Sequence, residues 1–263
     1  VSLVDVRKFA ELDNIAQKIV AEQVDWVIIA GGDGTIRSLI EKIVDRGHRP
    51  YFSVFPAGTV NLIAKELLVD KDPEKWLRRV GKGLINPVYF GRTNGRLFLT
   101  VTGIGYDSLI VDAVTETAKK LLSKFAYVWQ SAEMLRKEII LKDWHYEFKV
   151  RLDGGEWLKA STVFVCKSRY YAGRCMLFDD AKLSNDYFNV ALFFGCSSTD
   201  FMRYSVRIGM GAIKGDKTIR IAKARKVEIS CNVSDFPAEL DGDVVTAAPL
   251  TIEMDGEPLR FLG

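Results

Sequence analysis

The chain has 263 residues, of which 48% are hydrophobic, so it can bury the core of one large domain or of two smaller ones. Lys and Arg number 37 against 34 acidic residues, an excess far below that of nucleic-acid-binding proteins, and we predict no nucleic-acid partner. No apolar run approaches membrane-spanning length, and the start is neither a signal peptide nor a methionine, so we expect a cytoplasmic protein whose sequence is trimmed at its start.

The cysteine and histidine contents argue against a zinc site. No Cys-x-x-Cys pair occurs, and the chain has only two histidines. We therefore expect reduced thiols, as in a cytosolic protein. These residues are Cys166, Cys175, Cys196, Cys231, His48 and His145.

Residues 11–85 alternate amphipathic and short apolar segments, as βαβ units do. The segments "VDWVIIA" (24–30) and "YFSVFP" (51–56) are predicted to be strands buried on both faces of a sheet. Asp72 before Pro73 is predicted to cap a helix. Helices are predicted at 13–23, 35–47, 60–68 and 73–80. The pattern predicts a small α/β domain, with a parallel sheet flanked by helices.

From about residue 86 the pattern changes to alternating strands joined by polar turns. Asn94-Gly95 and Asp153-Gly154-Gly155 each separate two strand-like segments, which indicates hairpins. A larger antiparallel β-sandwich with helical insertions follows from this pattern. The insertions are predicted at about 108–138 and 199–213. We therefore expect two domains, 1–86 and 87–263, with the last strand packing back on the first domain.

A glycine-rich turn, "GGDGT" at 31–35, lies between the first strand and its helix. Such a turn brings backbone N–H groups and the positive helix end toward one point, where a phosphate meets no Cβ. A carboxylate beside phosphates is repulsive unless a cation bridges them, so Asp33 either acts with a cation or merely caps the helix. A second turn, with Gly58 and Thr59, follows the next strand. Both turns are expected to face one crevice.

With these turns the chain resembles the diacylglycerol kinase catalytic-domain family, whose relatives include sphingosine, ceramide and bacterial lipid kinases. The similar motifs occur in the family's order along nearly the whole sequence. They are "GGDGT" at 31–35, "PAGTVNLIAKEL" at 56–67, "GIGYDSLIVDAV" at 103–114, "YYAGRCMLFDDAKLSNDYFNV" at 170–190 and "ELDGDV" at 239–244. The resemblance implies an ATP-binding α/β domain, a β-sandwich that contributes to the lipid site, and transfer of the γ-phosphoryl group to a lipid hydroxyl.

The resemblance also implies roles for individual residues. Asp243 stands at the general-base position, one methylene shorter than the family's usual glutamate. If phosphates lie on the glycine turn, Asp33 needs a cation, and we predict that it is the second catalytic residue, acting directly or through water on Mg²⁺ carried in with ATP. Asp107, in the third motif, is assigned to the substrate. The ATP-binding residues are then expected to be Gly31, Gly32, Asp33, Gly34, Thr35, Ile36, Arg37, Gly58, Thr59 and Asn61.

The chain also departs from the family's pattern. An acid that helps to hold a structural magnesium in the family is replaced by Asn185, with Asp186 one step along, although Mg²⁺ prefers at least one carboxylate. The family's opening strand, with Asn-Pro-x-x-Gly, does not occur in the sequence, and Arg174 and Cys175 interrupt the expected small residues after "YY". A second "DGE", at 255–257, is interpreted as a hairpin turn.

Three functions are compatible with these observations. The first is an ATP- and Mg²⁺-dependent lipid kinase. An NAD kinase shares "GGDGT" and a β-rich second domain, but the Thr-Gly-Ser/Thr-Ala-Tyr stretch expected downstream does not occur. A catalytically silent lipid- or nucleotide-binding module is the third, because of Asn185 and the missing first strand.

A lipid substrate has to be drawn from a bilayer, so we expect transient, peripheral contact with a membrane surface. Lysines and aromatic residues share one predicted amphipathic helix at 118–137, which is a candidate for this contact. The alternative is a helix that packs on the core and turns a basic face to solvent.

Overall fold

The computed structural model describes residues 2–6, 8–105, 147–171, 175–233 and 235–263. The predicted insertion at 108–138 therefore lies outside the described residues. The described helices are α1 (Glu11–Ala21), α2 (Asp33–Val44), α3 (Leu62–Glu66), α4 (Pro73–Val80) and α5 (Ser198–Gly209). No helix in these ranges is long and apolar enough to span a bilayer.

The described strands form three main sheets and one short pair. They are β1 (Trp26–Gly31), β2 (Tyr51–Pro56), β3 (Ile85–Val88), β4 (Gly91–Thr93), β5 (Arg96–Phe98), β6 (Val101–Ile104), β7 (Phe148–Leu152), β8 (Trp157–Ala160), β9 (Thr162–Cys166), β10 (Tyr170–Tyr171), β11 (Cys175–Met176), β12 (Phe188–Phe193), β13 (Ile219–Ala224), β14 (Lys226–Cys231), β15 (Pro237–Leu240), β16 (Asp243–Ala247), β17 (Leu250–Met254) and β18 (Leu259–Leu262). Strands β10 and β11 are the short pair.

The first sheet has the strand order β1-β2-β18-β3. Strand β2 runs parallel to both β1 and β18, whereas β3 runs antiparallel to β18. Val27 and Ile29 share a core with residues of α1 and α2 on one face, and Trp76 of α4 packs edge-on against Phe55 on the other. The predicted α/β domain with helices on both faces is confirmed, although its sheet is mixed rather than wholly parallel.

Strand β1 is buried on one face only, so the prediction of burial on both faces is wrong. Trp26 and Ile28 are 42% and 50% exposed, while Val27 and Ile29 between them are buried. Strand β1 lies at the edge of the sheet as described, where α1 and α2 cover one side. A continuous apolar run predicts two-sided burial only for a strand inside the sheet.

The predicted antiparallel sandwich is confirmed as two six-stranded sheets. Their orders are β13-β12-β9-β6-β15-β16 and β5-β4-β17-β14-β7-β8. Both predicted hairpins are present, since Asn94-Gly95 joins β4 to β5, and the turn at 153–155 joins β7 to β8. Positive φ angles at Asn94 and Gly95 are those that a two-residue hairpin turn requires.

The second "DGE" does not form a hairpin turn. It connects β17, in the sandwich, to β18, in the first sheet, so the two strands do not pair with each other. The carboxylate of Asp255 forms ion pairs with Arg49 at 3.0 Å and Arg92 at 3.5 Å. These contacts stabilise the point at which the chain crosses back from the sandwich to the first sheet.

Candidate active site

The two glycine turns lie against each other at the carboxyl ends of β1 and β2. Gly31 is paired with Pro56 across the two strands. A Cβ on Gly58 would lie 2.4 Å from the Cα of Gly32, closer than carbon atoms approach. The turns are therefore in direct backbone contact, and this contact requires glycine at position 58.

The second turn is held in shape by Asn61. Its side-chain oxygen accepts a hydrogen bond from Gly58 N at 2.8 Å, and its side-chain nitrogen donates to Gly58 O at 2.6 Å. Asn61 is buried and has a left-handed backbone conformation at the start of α3. It shapes the turn from within, while Thr59 is exposed at its tip.

Asp33 in the first turn contacts the helix that follows the second turn. Its Oδ1 accepts a hydrogen bond from Ile63 N at 3.1 Å, and it makes no side-chain cap of its own helix, α2. Burial raises the pKa of Asp33 above its ordinary value, as does the nearby Asp241, while backbone donors of α3 act to lower it. Asp33 therefore joins the two turns through the N-terminus of α3.

The two residues after the first turn contact the protein core and two carboxylates, and their predicted part in ATP binding stays a prediction. The side chain of Ile36 is fully buried in the core, and its N–H donates to Gly32 O at 3.0 Å. Arg37 is 4% exposed and lies between two carboxylates. Its Nη2 is 3.4 Å from Asp243 Oδ2, and its Nη1 is 3.6 Å from Glu41 Oε2.

Glu41 connects this arginine to the sandwich. Its carboxylate accepts hydrogen bonds from Arg96 Nε at 2.8 Å and from Leu97 N at 3.0 Å. Burial acts to raise the pKa of Glu41, but these hydrogen bonds together with the charges of Arg96 and Arg37 leave the pKa below its ordinary value. Sequence reasoning missed Glu41, although it lies four residues after Arg37, the spacing at which helix side chains meet.

Asp243, the predicted general base, is brought from the sandwich to the first glycine turn. A Cβ on Gly34 would lie 3.3 Å from Asp243 Oδ2. The Asp243 side chain is 41% exposed, so it is open to a substrate as well as to the turn. The structure thus places a carboxylate beside the loop at which phosphates are expected to bind.

Asp241, which sequence reasoning missed, fixes the turn that presents Asp243. Its carboxylate accepts hydrogen bonds from the N–H groups of Leu99, Thr100 and Val101 at 2.8–3.0 Å, and from the Thr100 hydroxyl at 2.6 Å. Asp241 has a positive φ angle, as Asn and Asp tolerate better than most residues. The signal in the sequence is the Asp-Gly pair before Asp243.

The residues assigned to a structural magnesium do not fit that ion. Asn185 offers no carboxylate, and its backbone carbonyl accepts a hydrogen bond from Lys167 Nζ. The carboxylate of Asp186 is paired with Arg225. Across the part of the chain that the structure describes, no cluster of three or more His, Cys, Asp or Glu side chains could hold a metal ion. Asp107 and the helix at 118–137 lie outside the described residues.

Both halves of the chain match the profiles of known protein families. The diacylglycerol kinase catalytic domain profile matches residues 1–93, and the YegS C-terminal NAD kinase beta sandwich-like domain profile matches residues 100–263. A diacylglycerol kinase of Bacillus subtilis is 27% identical over 230 residues, which are 87% of this chain and 74% of that protein. A diacylglycerol kinase of Staphylococcus aureus is 26% identical over 228 residues, 87% of this chain and 71% of that protein.

A solved structure shows the same fold. The crystal structure of a diacylglycerol kinase from Bacillus anthracis superposes with a TM-score of 0.76 at 20% identity, and covers 98% of this chain and 84% of that one. The two family profiles together match both halves of the chain. The chain belongs to the diacylglycerol kinase catalytic-domain family.

Proposed function

We propose that the protein is a lipid kinase, which transfers the γ-phosphoryl group of ATP to a lipid hydroxyl such as that of diacylglycerol. The observation that carries the proposal is the position of Asp243 Oδ2 over Gly34. A general base beside a phosphate-binding turn is the arrangement that phosphoryl transfer to a hydroxyl needs. Family membership supports the same activity, because its curated relatives are named as diacylglycerol kinases.

The residues divide the reaction between the two domains. The backbone of the two glycine turns, with the positive end of α2 behind them, binds the nucleotide phosphates. Asp243 accepts the proton of the substrate hydroxyl, whose oxygen attacks the γ-phosphorus as the bond to the ADP oxygen breaks. Arg37, 3.4 Å from Asp243 Oδ2, keeps that carboxylate over the turn. Asp33, in the first glycine turn, would help to hold the Mg²⁺ carried in with ATP, and that ion would neutralise phosphate charge.

The proposal is tested by incubating the protein with ATP labelled on its γ-phosphate, Mg²⁺ and separate lipids presented in mixed micelles. Diacylglycerol, ceramide and sphingosine cover the hydroxyl-bearing classes of the family. Phosphorylation of one of them is the expected result. An intact fold by circular dichroism with no labelled lipid would contradict the proposal.

The same assay separates the other candidates. Label transferred to NAD in place of lipid would identify an NAD kinase. Saturable ATP binding without transfer to any acceptor would identify a silent binding module.

A lipid acceptor also implies that the protein visits a membrane surface, and we propose that it is otherwise cytoplasmic. Liposome flotation in the presence of anionic lipid measures this contact. A variant with Lys119, Lys120 and Lys124 neutralised is expected to float less than the wild type. Equal flotation would favour the alternative, in which the predicted helix at 118–137 packs on the core.

A further inference from the structure

A buried amino group lies at the end of β9, outside the proposed active site. Lys167 is 1% exposed. Its Nζ donates to the backbone carbonyls of Asn185 and Tyr187, the latter at 3.2 Å, and stands 5.8 Å from the ring centre of Tyr89. The side chain thus ends among two carbonyl oxygens and an aromatic face, which are groups that also attract cations.

The loop that Lys167 contacts connects the two cores of the molecule. Leu177 and Phe178 are buried in the core of the sandwich, whereas Leu183 is buried in the core of the α/β domain. The carbonyl of Leu183 accepts a hydrogen bond from Tyr89 N at 2.9 Å. Holding this loop in place therefore helps to hold one domain against the other.

The backbone beside Lys167 is tied to the candidate active site. Thr100 O accepts hydrogen bonds from Lys167 N at 2.7 Å and from Ser168 N at 3.1 Å, and Thr100 also binds Asp241. Ser168 Oγ donates to Glu66 of α3 at 2.8 Å. The Lys167 segment consequently joins the inter-domain loop, the turn before Asp243 and the helix after the second glycine turn.

A metal ion and the amino group cannot both occupy this position. The two backbone carbonyl oxygens at this position, which are the metal-type ligands beside the amine, already accept hydrogen bonds from Nζ, and the side chain at position 185 is a neutral amide. Among the described residues, Asn185 Nδ2 is buried and has no hydrogen-bond partner, so the side-chain amide at this position is not engaged as a ligand-binding group. Burial lowers the pKa of Lys167 to about 7, but the charged and the neutral amine both carry the two N–H groups that the carbonyls require.

We propose that the amino group of Lys167 takes the place of a structural metal ion in this loop, so that the folded protein needs no Mg²⁺ for its stability. Any Mg²⁺ requirement of the activity then belongs to the nucleotide alone. This inference concerns folding and does not depend on which acceptor the protein phosphorylates.

Thermal unfolding of the nucleotide-free protein tests the proposal. The wild type is expected to have the same Tm in EDTA and in millimolar Mg²⁺. Lys167→Met is expected to lower the Tm by roughly 4 °C or more in EDTA, because two part-buried carbonyls lose the donor of a fully buried side chain. Lys159→Met, at an exposed lysine of β8, is the control and should leave the Tm unchanged in both buffers.

A double variant makes the test sharper. Lys167→Met removes the amino group, which leaves room for an ion, and Asn185→Asp supplies a carboxylate. The Tm of this double variant is therefore expected to rise with Mg²⁺. The proposal is overturned if the wild-type Tm rises with Mg²⁺ and Asn185→Ala abolishes that rise. It is also overturned if Lys167→Met is as stable as the wild type in EDTA, or if the folded double variant shows no response to Mg²⁺. Should Lys167→Met fail to fold, the wild type in the two buffers still decides.

Discussion

The carboxylate of Asp33 has two roles: it accepts a hydrogen bond, and it carries a negative charge. Oδ1 accepts the N–H of Ile63, 30 residues away, and so joins the two glycine turns. The charge of the same group lies in a turn that we expect to bind phosphates. From the sequence, a cap of its own helix was the simple alternative to a role with a cation, and the structure shows instead a cap of α3.

Asp33→Asn is expected to separate these roles, because asparagine keeps an oxygen acceptor for Ile63 N and loses the charge. We expect the fold to be retained, and activity to require more Mg²⁺ because the carboxylate no longer attracts the ion. Titrating Mg²⁺ against lipid phosphorylation measures the effect. A wild-type rate and a wild-type Mg²⁺ curve would mean that Asp33 only joins the turns.

The pH dependence of stability gives a second prediction for Asp33. Because burial raises its pKa in the folded state, the folded protein binds a proton more tightly than the unfolded chain, and the ionised carboxylate costs stability above the folded pKa. Asp33→Asn removes that cost. The Tm of the variant relative to the wild type is therefore expected to be most favourable near neutral pH and to fall as the pH approaches about 4. A difference that stays constant across this range would contradict the assignment.

At the scale of elements, the contact between the glycine turns can be tested without reference to catalysis. Gly58→Ala would place a Cβ 2.4 Å from the Cα of Gly32, and backbone atoms cannot rotate away as a side chain can. We expect a loss of about 1–3 kcal/mol in the free energy of unfolding, as for overpacked sites, together with weaker ATP binding.

Gly256→Ala provides the matched control, since a Cβ there meets no atom within 4 Å and its φ angle is not positive. Its free energy of unfolding, measured by chemical denaturation, should stay close to that of the wild type. Equal stability of the two variants would show that the turns move apart without cost.

The elements that could be predicted from the sequence are those with a local signal. Asn94-Gly95 specifies its hairpin because both residues adopt positive φ angles, and Asp72 caps α4 through its side chain. The burial of β1 could not be predicted, because the apolar run does not show that β1 lies at an edge of the sheet. The second "DGE" was misassigned for a similar reason, as turn composition does not show which sheet the next strand enters.

At the scale of the whole molecule, the first sheet is completed by the last residues of the chain. Strand β18 lies between β2 and β3, so the chain leaves the α/β domain, builds the sandwich and returns. Phe261 of β18 is fully buried and packs against Phe52 of β2. Strand β18 therefore connects the two domains twice, through the chain that leads into it from the sandwich and through its packing in the first sheet.

The candidate site also depends on how the two domains pack, because Asp243 of the sandwich lies beside Gly34 of the α/β domain. The glycine turns could be identified from the sequence because strand, turn and helix are consecutive there. Asp243 could be identified from its motif. The network from Arg37 through Glu41 to Arg96 could not be predicted, since Glu41 and Arg96 are 55 residues apart and meet only when the domains pack. Lys167 was missed because a single lysine after a strand carries no local pattern.

The most direct test of the proposed base is the rate of phosphoryl transfer by Asp243→Asn, measured with γ-labelled ATP and the lipid that the wild type phosphorylates. We expect kcat to fall by roughly 10²-fold or more, with the KM for ATP nearly unchanged, because the variant keeps the phosphate-binding turns and loses the proton acceptor. Asp180→Asn, the same change at an exposed aspartate of the loop between the two cores, should keep the wild-type rate. A wild-type kcat for Asp243→Asn, or an equal loss in both variants, would contradict the role of Asp243.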